Sequence, residues 1–339
     1  MSKSSFYGKG RLTLGEIAKR AGVSIATVSN VLNNKGRMSQ ETSERIFRIV
    51  EELEVDGAAD SRPQLGCIAL VLADPSDMLS HFSFHLHLIQ GMQAVLEKHG
   101  FFIKISSCSE SDGFIGETRG ARGAVLVGRP AEGEEPYEEA GIPLVWALGA
   151  PGIRADAVQE DGREIAKLAA GYFLDRGHGT VGCLVDAAME NQVLRSWHLA
   201  RFLAEKGARL VVGQGEGLLF SRKDPLVIDT EQIAALLSEI LSAKPRPTAL
   251  FIPGDRLCVA VYAALADLGL RPPDGPVILS CDNDIPHLAS MSPRPATISL
   301  NVDVVGRVAA ETIVWRLRNP DEPPLRKLVR PGLVLPASK

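Results

Sequence analysis

The chain has 339 residues, of which 45% are hydrophobic and 5% aromatic, and its formal net charge is −4. This length predicts two or three compact units, each large enough to bury a core. The sequence has neither an apolar run of about eighteen residues nor an N-terminal hydrophobic stretch, which argues against a membrane span and a secretory signal, so we expect a cytoplasmic protein.

The first 50 residues are strongly basic. They hold nine Lys and Arg against three acids, a net charge of +6, so residues 51–339 carry −10. Residues 1–12 are predicted to form a basic N-terminal arm, and residues 13–55 a domain of three helices. A basic head on an acidic body is typical of a phosphate-binding module attached to a globular domain.

Two short amphipathic helices are predicted in this head. The apolar residues of the first recur at helical spacing: Ile17, Ala18 and Ala21. Thr13 and Glu16 form a capping-box pattern at its start, and Gly22 favours its end. Ser24 is the N-cap of the second helix, which has its own apolar stripe: Val28, Val31 and Leu32. Two short helices joined by a glycine-containing turn predict a helix-turn-helix.

The outward face of the second helix carries short side chains with little charge, which suit close contact with DNA bases. These residues are Ile25, Ala26, Thr27, Ser29, Asn30 and Asn33. Residues 14–33 resemble the DNA-binding signature of the lactose/galactose repressor (LacI) family of bacterial transcriptional regulators, and residues 38–46 resemble the start of that family's third helix.

The resemblance implies that the second helix enters the major groove of a double-stranded DNA operator, where Ile25, Ala26 and Asn30 would read bases. It implies that hydroxyl and amide side chains bind phosphates: Thr13, Ser24, Thr27, Asn33, Ser39 and Thr42. We expect a homodimer on two half-sites related by a two-fold axis, and no tetramer, because no heptads follow Leu335.

Residues 56–65 are polar, contain Gly57 and Pro63, and are predicted to be a linker. In the family that the head resembles, this stretch is a hinge helix whose leucine inserts into the minor groove. Here the stretch is shorter, lacks a leucine before Pro63, and carries Asp56 and Asp60, which would face phosphates. We therefore expect weak or absent insertion.

Residues 66–339 alternate apolar runs with amphipathic helical patterns. The runs are 67–72, 101–105, 124–127, 144–147, 181–185, 210–212, 249–252 and 277–279, and the helical patterns are 86–99, 163–176, 194–206, 231–243 and 258–268. This alternation predicts doubly wound parallel sheets. The fold class is thus α/β, with a small all-α helix-turn-helix head and a two-lobed body.

The body resembles the effector-binding and dimerisation domain of the same family, which is like periplasmic sugar-binding proteins. Lobe 1 is expected at about 66–159 and 286–318, and lobe 2 at about 160–285 and 319–339. The resemblance places Asp161, Arg195 and Asp255 in the cleft between the lobes. Carboxylates and a guanidinium suit a small polar effector rich in hydroxyls, sugar-like or nucleoside-like.

Aromatic residues at the start of the body are further candidates for the effector site. Phe82 and Phe84 would stack on a sugar or base ring. His81 and His85 have the spacing of a metal pair, but no nearby cysteine or acidic pair completes a set, so no metal is predicted. Leu148 follows the fourth apolar run where the family often has an Asp-Arg pair, which leaves open whether an effector binds at all.

Other functional classes are less favoured. Residues 213–217 have a glycine spacing that superficially resembles a nucleotide-binding turn, but the third glycine is misplaced. No nucleophile elbow is present, so neither catalysis nor a cofactor is predicted. The basic head disfavours a sugar-binding protein without a regulatory role, while a DNA-binding regulator with a scaffold body stays open. The five scattered cysteines favour buried thiols, Trp146 is expected in the core, and Trp197 in the core or the cleft.

Overall fold

The computed structural model describes residues 14–32, 42, 45–46, 49, 66–72, 82–107, 118, 120–128, 141–148, 155–218, 228–270 and 274–336. The chain divides into two compact units, residues 1–64 and 65–339. The first unit is helical where it is described, and the second contains two six-stranded sheets.

The first unit contains the two predicted helices, α1 (Leu14–Ala21) and α2 (Ile25–Leu32). Their apolar faces meet in one small core: Ile17, Ala18, Ala21, Val28, Val31 and Ile46. Residues 42, 45–46 and 49 are helical and fall within the predicted third helix. Gly22 has a φ of +65°, which a glycine adopts at little cost, so α1 ends where the sequence predicts.

The second unit contains twelve described strands and seven described α-helices. The strands are β1 (Gly66–Leu72), β2 (Phe101–Ser107), β3 (Gly123–Val127), β4 (Leu144–Ala147), β5 (Asp156–Glu160), β6 (Thr180–Asp186), β7 (Arg209–Gly215), β8 (Ala249–Phe251), β9 (Val277–Asp282), β10 (Ala296–Ser299), β11 (Arg326–Val329) and β12 (Gly332–Val334). The helices are α3 (Phe82–Leu96), α4 (Gly162–Leu174), α5 (Glu190–Ala204), α6 (Thr230–Ser242), α7 (Asp255–Asp267), α8 (Ile285–Ala289) and α9 (Val302–Arg318).

The strands form two doubly wound sheets. The first has the order β11-β5-β4-β3-β1-β2 and the second the order β12-β10-β9-β8-β6-β7. All pairs are parallel except β10 with β12, which is antiparallel. The predicted α/β class is therefore confirmed. Strand order reverses between β1 and β3 and between β6 and β8, and ligands of such sheets bind at the carboxyl ends of strands near these points.

Each sheet and its helices form one lobe, and the chain passes between the lobes three times. It crosses after β5, after β10 and between β11 and β12. The predicted lobe boundaries differ from this, because residues 296–299 pair in the second sheet and residues 326–329 in the first. These strands are short and partly polar, so their sequence does not show which sheet they join.

Helices α3 and α9 cover the first sheet and cross at two glycines. A Cβ atom at Gly91 would lie 1.9 Å from the carbonyl oxygen of Asp303, and one at Gly306 would lie 2.1 Å from that of Leu88. Only hydrogen atoms fit in this space, so the two backbones are in direct contact. The position of α3 on the first lobe therefore depends on both glycines.

A buried ion pair fixes the segment between α9 and β11. The guanidinium of Arg316 lies 2.7 and 2.8 Å from the two carboxylate oxygens of Asp156, at the start of β5. It also donates to backbone carbonyls of the following loop, including those of Asn319 and Pro323. The amide of Leu325 donates to the same carboxylate at 2.7 Å, so the pair joins α9, β5 and the loop before β11.

The core of the second unit combines the continuous apolar runs that predict strands with the apolar faces of the helices. Ile68–Leu72 of β1 and all of β3 and β6 are buried. Trp146 is buried, as predicted, whereas Trp197 is exposed on α5 and is not part of the core. Cys183, Cys258 and Cys281 are buried free thiols. Burial raises the pKa of Cys183 to about 12, so this thiol stays protonated at neutral pH.

Candidate functional site

The start of α2 is fixed by its capping residue. The amide of Thr27 donates to Oγ of Ser24 at 3.0 Å, and the two hydroxyls lie 2.8 Å apart. The predicted N-cap is therefore confirmed, and it satisfies an amide that the helix leaves without a partner. Both hydroxyls lie near the positive end of the helix, where a phosphate is favoured.

Ile25, the first residue of α2, is 56% exposed. This large apolar side chain lies next to two hydroxyls and outside the small core, so it is accessible to a partner surface. Thr27 is half-buried, and Thr42 is half-buried in the third helix. The side chains of Ala26, Ser29 and Asn30 on α2 lie outside the described part, as do residues Thr13, Asn33 and Ser39. The residue-by-residue DNA contacts thus stay predictions.

We expect Ser24→Ala to weaken the first unit by about 1 kcal/mol, because the amide of Thr27 loses its acceptor. Amide hydrogen exchange in the full chain measures this as a roughly fivefold faster exchange of α2 amides, the factor that 1 kcal/mol represents. Ser24→Thr keeps the cap and is the control. Equal exchange rates of the α2 amides in Ser24→Ala and in the wild-type chain would contradict the prediction.

In the second unit, polar side chains gather after the carboxyl ends of strands. Arg195, on α5, is 3% exposed and pairs with the carboxylate of Glu160 at the end of β5. The attraction of Glu160 and of Asp282 outweighs burial and raises the pKa of Arg195. Its Nε is buried without a hydrogen-bond partner in the described structure. The family resemblance placed Arg195 in the cleft between the lobes, but the sequence did not reveal Glu160 as its partner.

Asp255, at the first turn of α7, is 0% exposed. Its two carboxylate oxygens accept bonds from the amide of Asp284 at 2.6 Å and from the hydroxyl of Thr297 at 3.0 Å. Burial raises its pKa to about 6, against the opposing effect of these bonds. Asp255 is therefore placed to hold neighbouring loops. Its predicted contact with an effector stays a prediction.

Asp282 ends β9 and carries strained backbone, with a φ of +108°. Its carboxylate accepts a bond from the backbone N–H of Asp255. Burial raises its pKa well above the ordinary value, and the charges of Asp255 and Asp284 raise it further, while Arg195 lowers it. The residue as a whole is half-buried, whereas its carboxylate is buried at the end of β9.

Asp284 joins the two lobes. Its Oδ1 accepts a bond from the hydroxyl of Ser83 on α3, at 2.5 Å, and its Oδ2 lies 3.1 Å from Nδ1 of His287. Because α3 lies on the first lobe and Asp284 on the second, this contact closes one side of the cleft. Sequence reasoning did not identify four residues of this cleft: Ser83, Glu160, Asp282 and Asp284. The available signal for the acids was their position directly after apolar runs.

The other predicted effector residues have structural contacts. Asp161 is the N-cap of α4 and accepts a bond from the amide of Glu164 at 3.0 Å. Phe84 is half-buried and packs against the largest core. The side chain of Phe82 lies outside the described part, as does His81. Within the described residues, no group of three or more His, Cys, Asp or Glu side chains could hold a metal ion.

No described helix is both long and apolar enough to span a membrane. Comparisons with known proteins match both units. Residues 13–54 match the family model "Bacterial regulatory proteins, lacI family", and residues 170–338 match "Periplasmic binding protein-like domain". The "HTH-type transcriptional repressor PurR" of Edwardsiella ictaluri is 24% identical, covering 95% of each chain. The "Ribose operon repressor" of Haemophilus influenzae is 24% identical, covering 95% of this chain and 97% of the relative.

Solved structures share the fold. The complex of transcriptional regulator CelR with cellobiose has a TM-score of 0.65 at 22% identity, covering 96% of this chain and 99% of that one. The Lac repressor dimer bound to operator and the anti-inducer ONPF has a TM-score of 0.64 at 16% identity, covering 95% and 97%. A LacI family transcriptional regulator from Enterococcus faecium with bound ribose has a TM-score of 0.63 at 19% identity, covering 79% and 96%.

Proposed function

Because this chain belongs to the LacI family of bacterial regulatory proteins, we propose that it is a sequence-specific DNA-binding repressor. It acts as a homodimer on an operator with two half-sites related by a two-fold axis. Its affinity for DNA is controlled by a small polar effector, sugar-like or nucleoside-like, that binds between the two lobes of the second unit.

The observation that carries the DNA-binding part is the exposed start of α2. In a helix-turn-helix the N-terminal residues of the second helix contact base edges. Ile25 offers an apolar surface that suits a thymine methyl group. The hydroxyls of Ser24 and Thr27 lie beside it and suit phosphate oxygens, which set the register of the helix on the duplex.

The arrangement of the second unit supports the effector part. Arg195 on α5 meets two acids at the carboxyl ends of strands, Glu160 of β5 and Asp282 of β9. Ligands of doubly wound sheets bind at such ends. Two of the solved regulators that share this fold have cellobiose or ribose in their titles. In the proposed mechanism the effector binds one arrangement of the lobes more tightly than another, and this preference changes the affinity for DNA.

The variant Ile25→Ala tests the proposal. We expect it to weaken binding of the full chain to a duplex selected from a random library by roughly tenfold or more, because one base contact contributes about 1–3 kcal/mol. Fluorescence anisotropy against random competitor DNA at moderate ionic strength measures the affinity. Val212→Ala, which shortens an exposed apolar residue on β7, is the control. Equal affinity of the wild-type chain for selected and random duplexes would reject the proposed function.

A second function, a DNA-binding regulator whose body is only a dimerisation scaffold, is favoured by two contacts. Arg195 is already paired with Glu160, and Asp284 already binds Ser83 across the cleft. Because these polar groups already bind one another, they do not need an effector to satisfy their hydrogen bonds. Differential scanning fluorimetry against a panel of sugars and nucleosides separates the two functions, because a scaffold shows no rise in melting temperature with any of them.

A further inference from the structure

One face of helix α5 carries apolar side chains into solvent. Val193, Leu194 and Trp197 are 37%, 51% and 57% exposed. Their spacing places them side by side, because residues three and four apart are neighbours on a helix surface. The opposite face, which includes Leu199 and Leu203, is fully buried. The outer face of a surface helix is normally polar, and these three residues, which we call the α5 patch, depart from that rule.

A row of rings extends the α5 patch to helix α4. Trp197 meets the ring of His198 edge-on, with ring centres 4.9 Å apart, and His198 stacks on Phe202 at 6.5 Å. The guanidinium of Arg163, on α4, lies 5.9 Å from the centre of the Phe202 ring. Each ring is held by its neighbour, so little side-chain freedom is left to lose when a partner binds. Trp and Arg are also the residue types that contribute most to binding at protein interfaces.

Four exposed cations lie on α4 and α5 or are bound to α4: Arg163, Lys167, Arg201 and Arg330. Glu164 pairs with two of these cations, at 3.6 and 3.2 Å, and Glu205 pairs with a third, at 3.3 Å. Arg163 has no carboxylate partner within the described residues. The start of α5 adds one further acid, Glu190. Cations therefore outnumber acids on this face, whereas residues 51–339 as a whole carry a charge of −10.

The size and charge of the α5 patch decide which kind of partner fits it. A stable contact between two copies of a protein covers about 800 Å² on each copy, which three apolar side chains and two rings do not supply. A two-fold contact would also bring Arg163 and Arg201 against the same cations of the second copy. A single amphipathic helix inserts only a few apolar side chains, and acids on its flanks complement such cations.

We propose that the α5 patch binds an acidic amphipathic helix of another protein. Apolar side chains at positions i, i+3 or i+4, and i+7 of that helix cover the patch around Trp197. Asp or Glu residues beside this apolar stripe face Arg163 and Arg201, and they supply the carboxylate that Arg163 lacks. Arg195 lies on the buried side of α5, so the patch and the cleft between the lobes use different faces of this helix.

The test uses the full chain and a displayed library of random helical peptides. The library is first depleted on the Trp197→Ala chain and then selected on the wild-type chain, and fluorescence anisotropy measures the affinity of each enriched peptide. We expect enriched peptides with a negative net charge and an apolar stripe. Trp197→Ala should bind them roughly tenfold or more weakly. Phe102→Ala, which removes a ring that is 54% exposed on β2, is the control and should bind them like the wild-type chain.

A second variant tests the charges. Arg163→Gln should weaken binding of the same peptides by roughly two- to fivefold and reduce its dependence on salt, because an exposed ion pair is lost. The inference is overturned if no peptide is enriched, if the enriched peptides are basic, or if Trp197→Ala binds them as tightly as the wild-type chain. Sedimentation velocity tests the alternative of a second copy, and self-association that Trp197→Glu abolishes would also overturn the inference.

Discussion

Replacing Asp156 by alanine is expected to lower the free energy of unfolding of the second unit by about 3–5 kcal/mol, because the guanidinium of Arg316 is left buried without its carboxylate. The two side chains are nearly inaccessible, and each carboxylate oxygen of Asp156 accepts a bond from Arg316, at 2.7 and 2.8 Å. The amide of Leu325 loses its acceptor in the same variant. The loss therefore affects α9, β5 and the loop before β11 together.

Urea unfolding of the full chain, followed by circular dichroism, measures this difference as a lower midpoint. Glu311→Ala is the matched control, because it breaks an exposed ion pair with Arg307 on the same helix and should cost at most about 1 kcal/mol. A midpoint shift for Asp156→Ala no larger than that for Glu311→Ala would show that the buried pair stabilises the second unit no more than the exposed pair does.

The variant Gly306→Ala is expected to destabilise the second unit by at least about 3 kcal/mol, the upper end of the cost of overpacking. The added methyl group would lie 2.1 Å from the carbonyl oxygen of Leu88, and a backbone atom cannot turn aside as a side chain can. Helix α3 must then move away from α9. Because α3 carries Ser83, we also expect the contact between Ser83 and Asp284 to be lost.

Gly171→Ala is the control for this prediction. Gly171 lies within α4, and a Cβ atom there meets nothing within 4 Å. Alanine at this position should stabilise the helix by roughly 0.5–1 kcal/mol. Thermal unfolding of the two variants should thus shift the melting temperature in opposite directions. Shifts of the same sign and size would show that the close approach of α3 and α9 carries no particular cost.

The helix-turn-helix could be predicted from the sequence because its signals are local. The cap of Ser24 and the left-handed turn at Gly22 depend on residues within four positions of each other. The long apolar strands could be predicted for the same reason, since a strand buried on both faces is apolar throughout. Neither prediction needed knowledge of distant contacts.

The lobe boundaries and much of the cleft could not be predicted in this way. Strands β10, β11 and β12 have three or four residues each, and their sheet is decided by partners far along the chain. The cleft contacts are equally remote, since Glu160 meets Arg195 35 residues away and Ser83 meets Asp284 201 residues away. The family resemblance placed Asp255 in the cleft, but it did not reveal the distant groups that bind its carboxylate, Asp284 and Thr297.

The last two strands determine how the second unit responds to loss of its C-terminal residues. β11 is an edge strand of the first sheet and β12 an edge strand of the second, and only Arg330 and Pro331 separate them. A chain that ends shortly after α9 would lack β11 and β12. The backbone groups of β5 and β10 that these strands pair with would then be exposed at the edges of the two sheets. Such shortened chains should aggregate through both exposed edges.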